Sequence, residues 1–322
     1  MPLSREELRA QARYIREKLG PLVIRDGADI LHRDSLENVE AFFSELARTE
    51  VDIDILRFTR IDKALLEMSA MGSRWPTYLV DMAESTVREW EKRLGDIRHL
   101  RTALWAPSGR MVSKEKKGWL VDKGDPAKAH VVGHNWIRAG DWWIKPACAF
   151  RDGAIDNPKG GITADDDGAY AILLSGKEEL EGSEPNSIIY RPDPTDPKRF
   201  KLMKNLELRM PVRMLRSWRL QSVWGPRAGV RYDGLYRVTG WSTKLEDGLI
   251  TFTFYLGRNE DQPPMSQVMR HPTAEEIDDW KDYQEIKSQF RGIGLASPPS
   301  EKQWLMDSAR DSGYFSRRAS KE

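Results

Sequence analysis

The chain has 322 residues, 39% hydrophobic and 31% charged, with a formal net charge of +1 and a single cysteine, Cys148. This is an ordinary soluble composition, long enough for about two domains. No apolar run is long enough to span a bilayer. The opening residues lack the apolar core of a secretory signal. One cysteine can form neither an internal disulfide nor a cysteine-based zinc site, so a reducing, intracellular compartment is expected.

Residues 1–96 read as a small bundle of four helices. Ser4 with Glu7 forms a capping-box signature for a helix expected to stop at Gly20-Pro21. Ser35 is the expected cap of a second helix, with Val39, Phe42, Phe43 and Leu46 at helical spacing. The run 52–71 places Ile55, Phe58, Ile61, Leu65 and Met68 on one stripe. Pro76 suits the first position of a fourth helix ending at Leu94-Gly95. Such stripes build cores, and the basic residues beside them (Arg57, Arg60, Lys63, Arg88, Lys92, Arg93) read as a solvated face. Residues 97–127 read as an exposed polar connector. Its Lys114–Lys117 patch is surface rather than a nuclear signal.

From about residue 128 to 265 the pattern changes to short β-like runs punctuated by Gly, Pro and Asp. Strands are predicted at 142–144, 169–174, 187–190, 212–218, 235–238 and 250–256. Their number implies a curved sheet or barrel. Residues 266–322 turn helical again. Thr273 and Glu276 open a helix carrying Ile277, Trp280, Tyr283 and Ile286. A Ser297-Pro298-Pro299 break then precedes a short helix and a basic tail. Charge is distributed in blocks. Residues 152–196 hold eleven Asp or Glu against three Lys or Arg, and residues 198–237 hold eleven Lys or Arg against two Asp or Glu. A basic block of this kind can supply phosphate contacts, although some of its charges are expected to pair with the acidic block across a sheet.

The run Arg231-Tyr232-Asp233-Gly234-Leu235-Tyr236-Arg237-Val238 reads locally as a turn and a short strand. With Pro211-Val212-Arg213 before it, it resembles the signature of the SRA domain, also called the YDG domain. The resemblance extends upstream, in order, through Val132-Gly133-His134-Asn135, Gly140-Asp141-Trp142-Trp143, Arg151-Asp152-Gly153-Ala154, Gly160-Gly161-Ile162 and Asp167-Gly168-Ala169-Tyr170. It closes with Phe254 to Arg258 and Gln262-Pro263-Pro264. It implies an α+β protein: an SRA-type curved β-barrel (PUA-like), preceded by the helical bundle and followed by C-terminal helices. It also implies a reader of modified cytosine in double-stranded DNA, which flips the base into a pocket. The family's pocket supplies aromatic faces, a carboxylate for the exocyclic amine and backbone donors for the carbonyl oxygen. On this chain the matching positions are Ser175, Gly176, Lys177, Glu178, Glu181, Tyr190 and Arg191. Glu178 stands where the family has a stacking tyrosine, and Glu181 stands at its edge-reading aspartate. Tyr190 keeps the second aromatic. Lys159-Gly160 stands at the first of the two loops that invade the duplex in the family, and Pro197-Lys198-Arg199 is the candidate for the second, with a plain surface loop as the alternative. Four acids near the pocket mouth (Glu178, Glu179, Glu181, Glu184) repel phosphate unless locally paired.

No catalytic constellation emerges from the sequence. The five histidines are scattered without metal-ligand spacing, and His134-Asn135 reads as a hydrogen-bonded turn rather than part of a nuclease. Asp165-Asp166-Asp167 reads as a solvated turn rather than a metal site. No phosphate-binding glycine loop or Gly-x-Ser-x-Gly setting occurs. The expectation is a non-enzymatic reader without cofactor or metal, nuclear by the eukaryotic type of the resemblance. Its partners are duplex DNA and chromatin proteins bound through the helical ends. The alternative is an SRA-fold chromatin scaffold that has lost base discrimination; a nuclease is the third reading.

Overall fold

The structure, a computed structural model, describes residues 2–97, 111–114, 118–121, 126–246 and 249–291. They fall into two compact units divided near residue 104. The 297–299 break, the last helix and the basic tail lie outside the described residues, as does most of the 97–127 connector.

The first unit is helical: α1 (Arg5–Arg13), α2 (Gly20–Asp26), α3 (Arg33–Leu46), α4 (Ile53–Thr59), α5 (Ile61–Met68) and α6 (Thr77–Leu94). Ser4 caps α1 reciprocally. Its Oγ accepts the Glu7 N–H at 3.2 Å and its own N–H donates to Glu7 Oε2 at 2.8 Å. The stop expected at Gly20-Pro21 does not occur. A π-helical turn, Tyr14–Leu19, leads directly into α2, whose first turn holds Pro21. The path breaks at Gly27, where φ is 89°.

His32 rather than Ser35 caps α3, its Nδ1 accepting the Asp34 N–H at 3.4 Å. The expected face of Val39, Phe42, Phe43 and Leu46 is buried. The run 52–71 is two helices, because Arg60 turns left-handed at φ 59° and ψ 27°. Ile61, Leu65 and Met68 are buried in the core. Phe58 is half-buried, with the Arg5 and Arg9 guanidiniums 4.5 and 4.9 Å from its ring centre. Pro76 stands at the cap of α6, one residue before its expected place.

In the second unit, β1 (Met111–Lys114) and β2 (Gly118–Val121) pair as a hairpin inside the expected connector. The main sheet has seven strands: β3 (Trp142–Trp143), β4 (Gly161–Asp165), β5 (Gly168–Leu174), β6 (Ser187–Tyr190), β7 (Val212–Ser217), β8 (Val230–Glu246) and β9 (Leu249–Arg258). Their order is β4-β5-β7-β8-β9-β6, with β3 on β8. β5 and β7 run parallel and the other ladders are antiparallel. Helices α7 (Pro146–Arg151), α8 (Lys201–Leu208), α9 (Met265–Val268) and α10 (Ala274–Arg291) accompany the sheet. This is an α+β architecture, the class expected from the sequence.

Both faces of the sheet are covered, which is why every residue of β5 is buried. Ala171 and Leu173 join Leu215, Val230, Tyr232, Trp142, Trp143 and Cys148 on one face. Ile172 and Leu174 join Val212, Met214, Tyr236, Phe254, Leu256 and Leu202 of α8 on the other. Ile277, Trp280 and Tyr283 of α10 pack half-buried on the first of these cores, as their spacing predicts. Burial in an apolar core pushes the Cys148 thiol up to about 12, so it is an inert packing group.

Just before α10, His271 Nδ1 lies 3.0 Å from Glu276 Oε2, and this bond holds the imidazole pKa above its ordinary value despite partial burial. The stabilisation is complete below the unfolded value of about 6.5 and is lost as pH rises through the folded value. Melting curves from about pH 6 to about pH 8 should therefore show stability falling. His271→Gln should flatten that slope.

Candidate functional site

Tyr232, Asp233 and Gly234 lie within β8, not in a turn before a strand. The β7–β8 register passes from Met214↔Gly234 to Leu215↔Tyr232, so Asp233 is the extra residue of a β-bulge. The bulge switches the facing of the strand. Val230 and Tyr232 enter one core, whereas Tyr236 and Val238 enter the other.

Each residue of the tripeptide has a separate job. The Tyr232 hydroxyl meets His134 Nδ1 at 2.8 Å and so ties the start of the domain to the sheet. Gly234 has φ 111°, and a Cβ there would collide with the Gln262 side-chain amide. That amide bonds both backbone groups of Leu235, accepting its N–H at 2.9 Å and donating to its carbonyl at 2.8 Å.

Asp233 is fully buried between two guanidiniums. Arg231 Nε donates to its Oδ1 at 2.5 Å, and Arg216 Nη1 bonds its Oδ2. Burial alone raises the Asp233 pKa, but Arg231 and Arg216 outweigh it and hold the carboxyl below its usual value. Arg216 forks onward to Glu179, with Nη2–Oε1 at 2.7 Å and Nε–Oε2 at 3.0 Å. Two carboxylates therefore balance two guanidiniums. The remaining Arg231 donors reach the carbonyls of Trp224 at 2.8 Å and His271 at 3.2 Å. A third buried arginine, Arg213, is held by carbonyls instead, among them Gly133 at 2.8 Å and Ala154 at 3.3 Å. Burial brings its pKa down to about 10.

Glu179 belongs to the turn that follows β5, so the bulge positions the predicted pocket through a continuous chain of charges. Ser175, Gly176 and Glu178 come together there. Glu178 Oε2 accepts the Gly176 N–H at 2.6 Å and the Ser175 N–H at 3.3 Å. The Glu178 carbonyl accepts the Arg191 N–H at 2.7 Å, and Leu180 N–H donates to Ile189 at 2.9 Å, which lays the turn against β6. Tyr190 is only 3% exposed and is part of the core, its phenol pKa raised first by that burial and then by the charge of Glu178. Lys177 and Glu181 are exposed and Arg191 is half-buried. Of the four mouth acids, Glu179 is neutralised by Arg216, and Glu178 is held by amides. Glu181 and Glu184 remain on the surface.

The two predicted contact loops are tied to one another. Lys159 is exposed and Gly160 has φ 96°, with the Leu173 side chain where a Cβ would stand. Lys198 and Arg199 lie in a 3-10 turn, Pro197–Phe200, leading into α8. Lys198 Nζ binds Asp156, in the loop that carries Lys159, at 2.9 Å. Arg199 stacks 4.2 Å from the Phe200 ring centre. Lys201 pairs with Asp166 at 2.8 Å. The acidic and basic blocks thus pair in part, as their adjacency suggested. The role of Glu179 was not legible in sequence; its place one residue from Glu178, within an acidic run opposite a basic one, was the only signal. His134 and Asn135 are a bonded turn, Asn135 Nδ2 donating to the carbonyls of Lys128 and Gly153 at 2.8 and 2.9 Å.

Residues 131–262, which hold the bulge, the charge network and the turn, match the SAD/SRA domain family, and this part of the chain is an SRA domain. A curated relative is the UHRF1-like protein of Cryptococcus neoformans var. grubii serotype A. It is 30% identical over an alignment of 166 positions, which covers 43% of this chain and 48% of the relative. The chain thus spans about half the length of that relative. Among solved structures, the modification-dependent TagI restriction endonuclease is similar at 22% identity and a TM-score of 0.38, over 42% of this chain and 54% of that one. The SUVH5 SRA domain, in a complex with hemi-methylated CG DNA, is similar at 22% identity and a TM-score of 0.37, over 42% and 98%.

Removing one member of a buried ion pair strands the other, at about 3–5 kcal/mol. Asp233→Asn should lower unfolding free energy in denaturant titrations by that order. Because the folded pKa of Asp233 is depressed, its contribution is present above the unfolded value of about 3.9 and is lost as pH falls through the folded value. The variant should therefore lose part of the acid dependence of stability. Gly234→Ala should also destabilise, by more than about 1 kcal/mol, since its backbone is strained for any side chain.

Proposed function

We propose that this chain is a non-enzymatic reader of modified cytosine in duplex DNA, in which the turn 175–181 and Tyr190 form the pocket for a flipped base. The observation that carries this reading is the chain of buried charges from Asp233 to Glu179, in a domain of the SRA family. It spends two buried ion pairs on fixing a turn that has no role in either core. Flipping costs a few kcal/mol. Stacking on one aromatic face returns about 1–3 kcal/mol, and hydrogen bonds to a charged group about 1.5–3 kcal/mol each. One tyrosine and one carboxylate therefore suffice only if both engage. In this reading Tyr190 is the stacking face and Glu181 is the acceptor for the exocyclic amine. Lys177 and Arg191 flank the base, while Lys159, Gly160, Lys198 and Arg199 meet the duplex. Duplex DNA is the partner and the nucleus is the compartment, with chromatin proteins as further partners of the helical ends.

A second reading is favoured by Glu178, which stands in place of an aromatic, and by the burial of Tyr190. It is an SRA-fold chromatin scaffold that binds DNA without discriminating its bases.

Binding to methylated, hemimethylated, hydroxymethylated and unmethylated duplexes of one sequence at fixed salt separates the two. The reader gives a clear preference for a modified duplex, and Tyr190→Ala abolishes it. The scaffold gives a ratio near one. Lys198→Ala and Arg199→Ala should weaken binding to all duplexes alike and reduce its salt dependence.

A further inference from the structure

The donor end of the candidate pocket is filled by the chain itself. The Ser175 and Gly176 N–H groups converge on a single oxygen, Glu178 Oε2, at 3.3 and 2.6 Å. The peptide groups around them are fixed from outside. The Gly176 carbonyl accepts the Gln221 N–H at 2.8 Å, and the Glu178 carbonyl accepts the Arg191 N–H at 2.7 Å. Glu179, between them and β6, is locked to Arg216. The two amides thus sit in a turn pinned beside them, and they present a ready cradle for one oxygen atom. Bonds from amides to an ionised oxygen are stronger than those to a neutral carbonyl. Any ligand that offers a carbonyl oxygen to this cradle must first displace a better acceptor.

We propose that Glu178 is an internal plug whose carboxylate stands in for the carbonyl oxygen of a base, so that a base seats only after Glu178 leaves Ser175 and Gly176. This inference rests on the pocket reading above. It makes Glu178 a specificity-determining residue. With the plugged turn as the major state, apparent affinity is reduced by the fraction of open turn. A base that gains little from stacking and edge contacts does not repay the opening, whereas one that gains from both does. The plug also gives those two amides a partner in the free protein.

The test uses the full chain, with Glu178→Ala and Glu178→Gln, and one duplex carrying either cytosine or 5-methylcytosine at a single site. Affinity is read at fixed salt, and exchange of the Gly176 amide is read in the free protein. The expected result is loss of Gly176 protection in Glu178→Ala and roughly tenfold tighter binding of the modified duplex, if the plug holds about nine-tenths of the population. The unmodified duplex should tighten less, because less of its binding seats a base in the turn, and Glu178→Gln should fall between. If the wild type prefers the modified duplex and neither variant tightens it, the plug is overturned and the pocket reading stands. If no form prefers the modified duplex, the pocket reading fails and the plug with it. Should Glu178→Ala not fold, the near-isosteric Glu178→Gln decides by the same criterion.

Discussion

Everything in the second unit depends on keeping Asp233 ionised where no water reaches it. Its side chain is fully buried, and so is that of Arg216. An isolated carboxylate there would protonate or leave. It stays because Arg231 and Arg216 approach from two directions, and because Glu179 takes the second half of the Arg216 fork. Such a network adds little net stability compared with apolar packing, but its loss is expensive. Its value is geometric: it joins β7, β8, the turn after β5 and, through Arg231, the carbonyls of Trp224 and His271.

The bulge at Asp233 makes that geometry possible. One extra residue points an acid at the arginines and exchanges the two faces of β8 between two cores. Gly234 supplies the backbone and Gln262 closes the gap from the C-terminal side. The same turn of sheet therefore fixes a fold and aims a distant loop. That coupling is why a signature far along the chain from the candidate pocket bears on it.

The candidate pocket shows how a single residue alters the physics of a site. An aromatic face at position 178 would leave two amides free for a ligand oxygen. The carboxylate actually present occupies them. In the proposed pocket, discrimination is a competition between this internal acceptor and an incoming base, set by the population of the open turn.

Much of this was readable from residue order alone. Apolar spacing located the helical faces of the first unit and the α10 face, and the ordered motifs from Val132 to Pro264 identified the domain. Local chemistry was less reliable at boundaries. A π turn carried the helix through Gly20-Pro21, and Arg60 split a continuous stripe by adopting a left-handed conformation. What only the tertiary structure decided was partnership. Position in sequence shows Glu178, Glu179, Glu181 and Glu184 as one acidic run, yet one is paired with Arg216 in the core, one is held by amides and two lie at the surface. Charge and periodicity are properties of neighbours along the chain, whereas the energy of a buried charge depends on what the fold brings within about 3 Å of it.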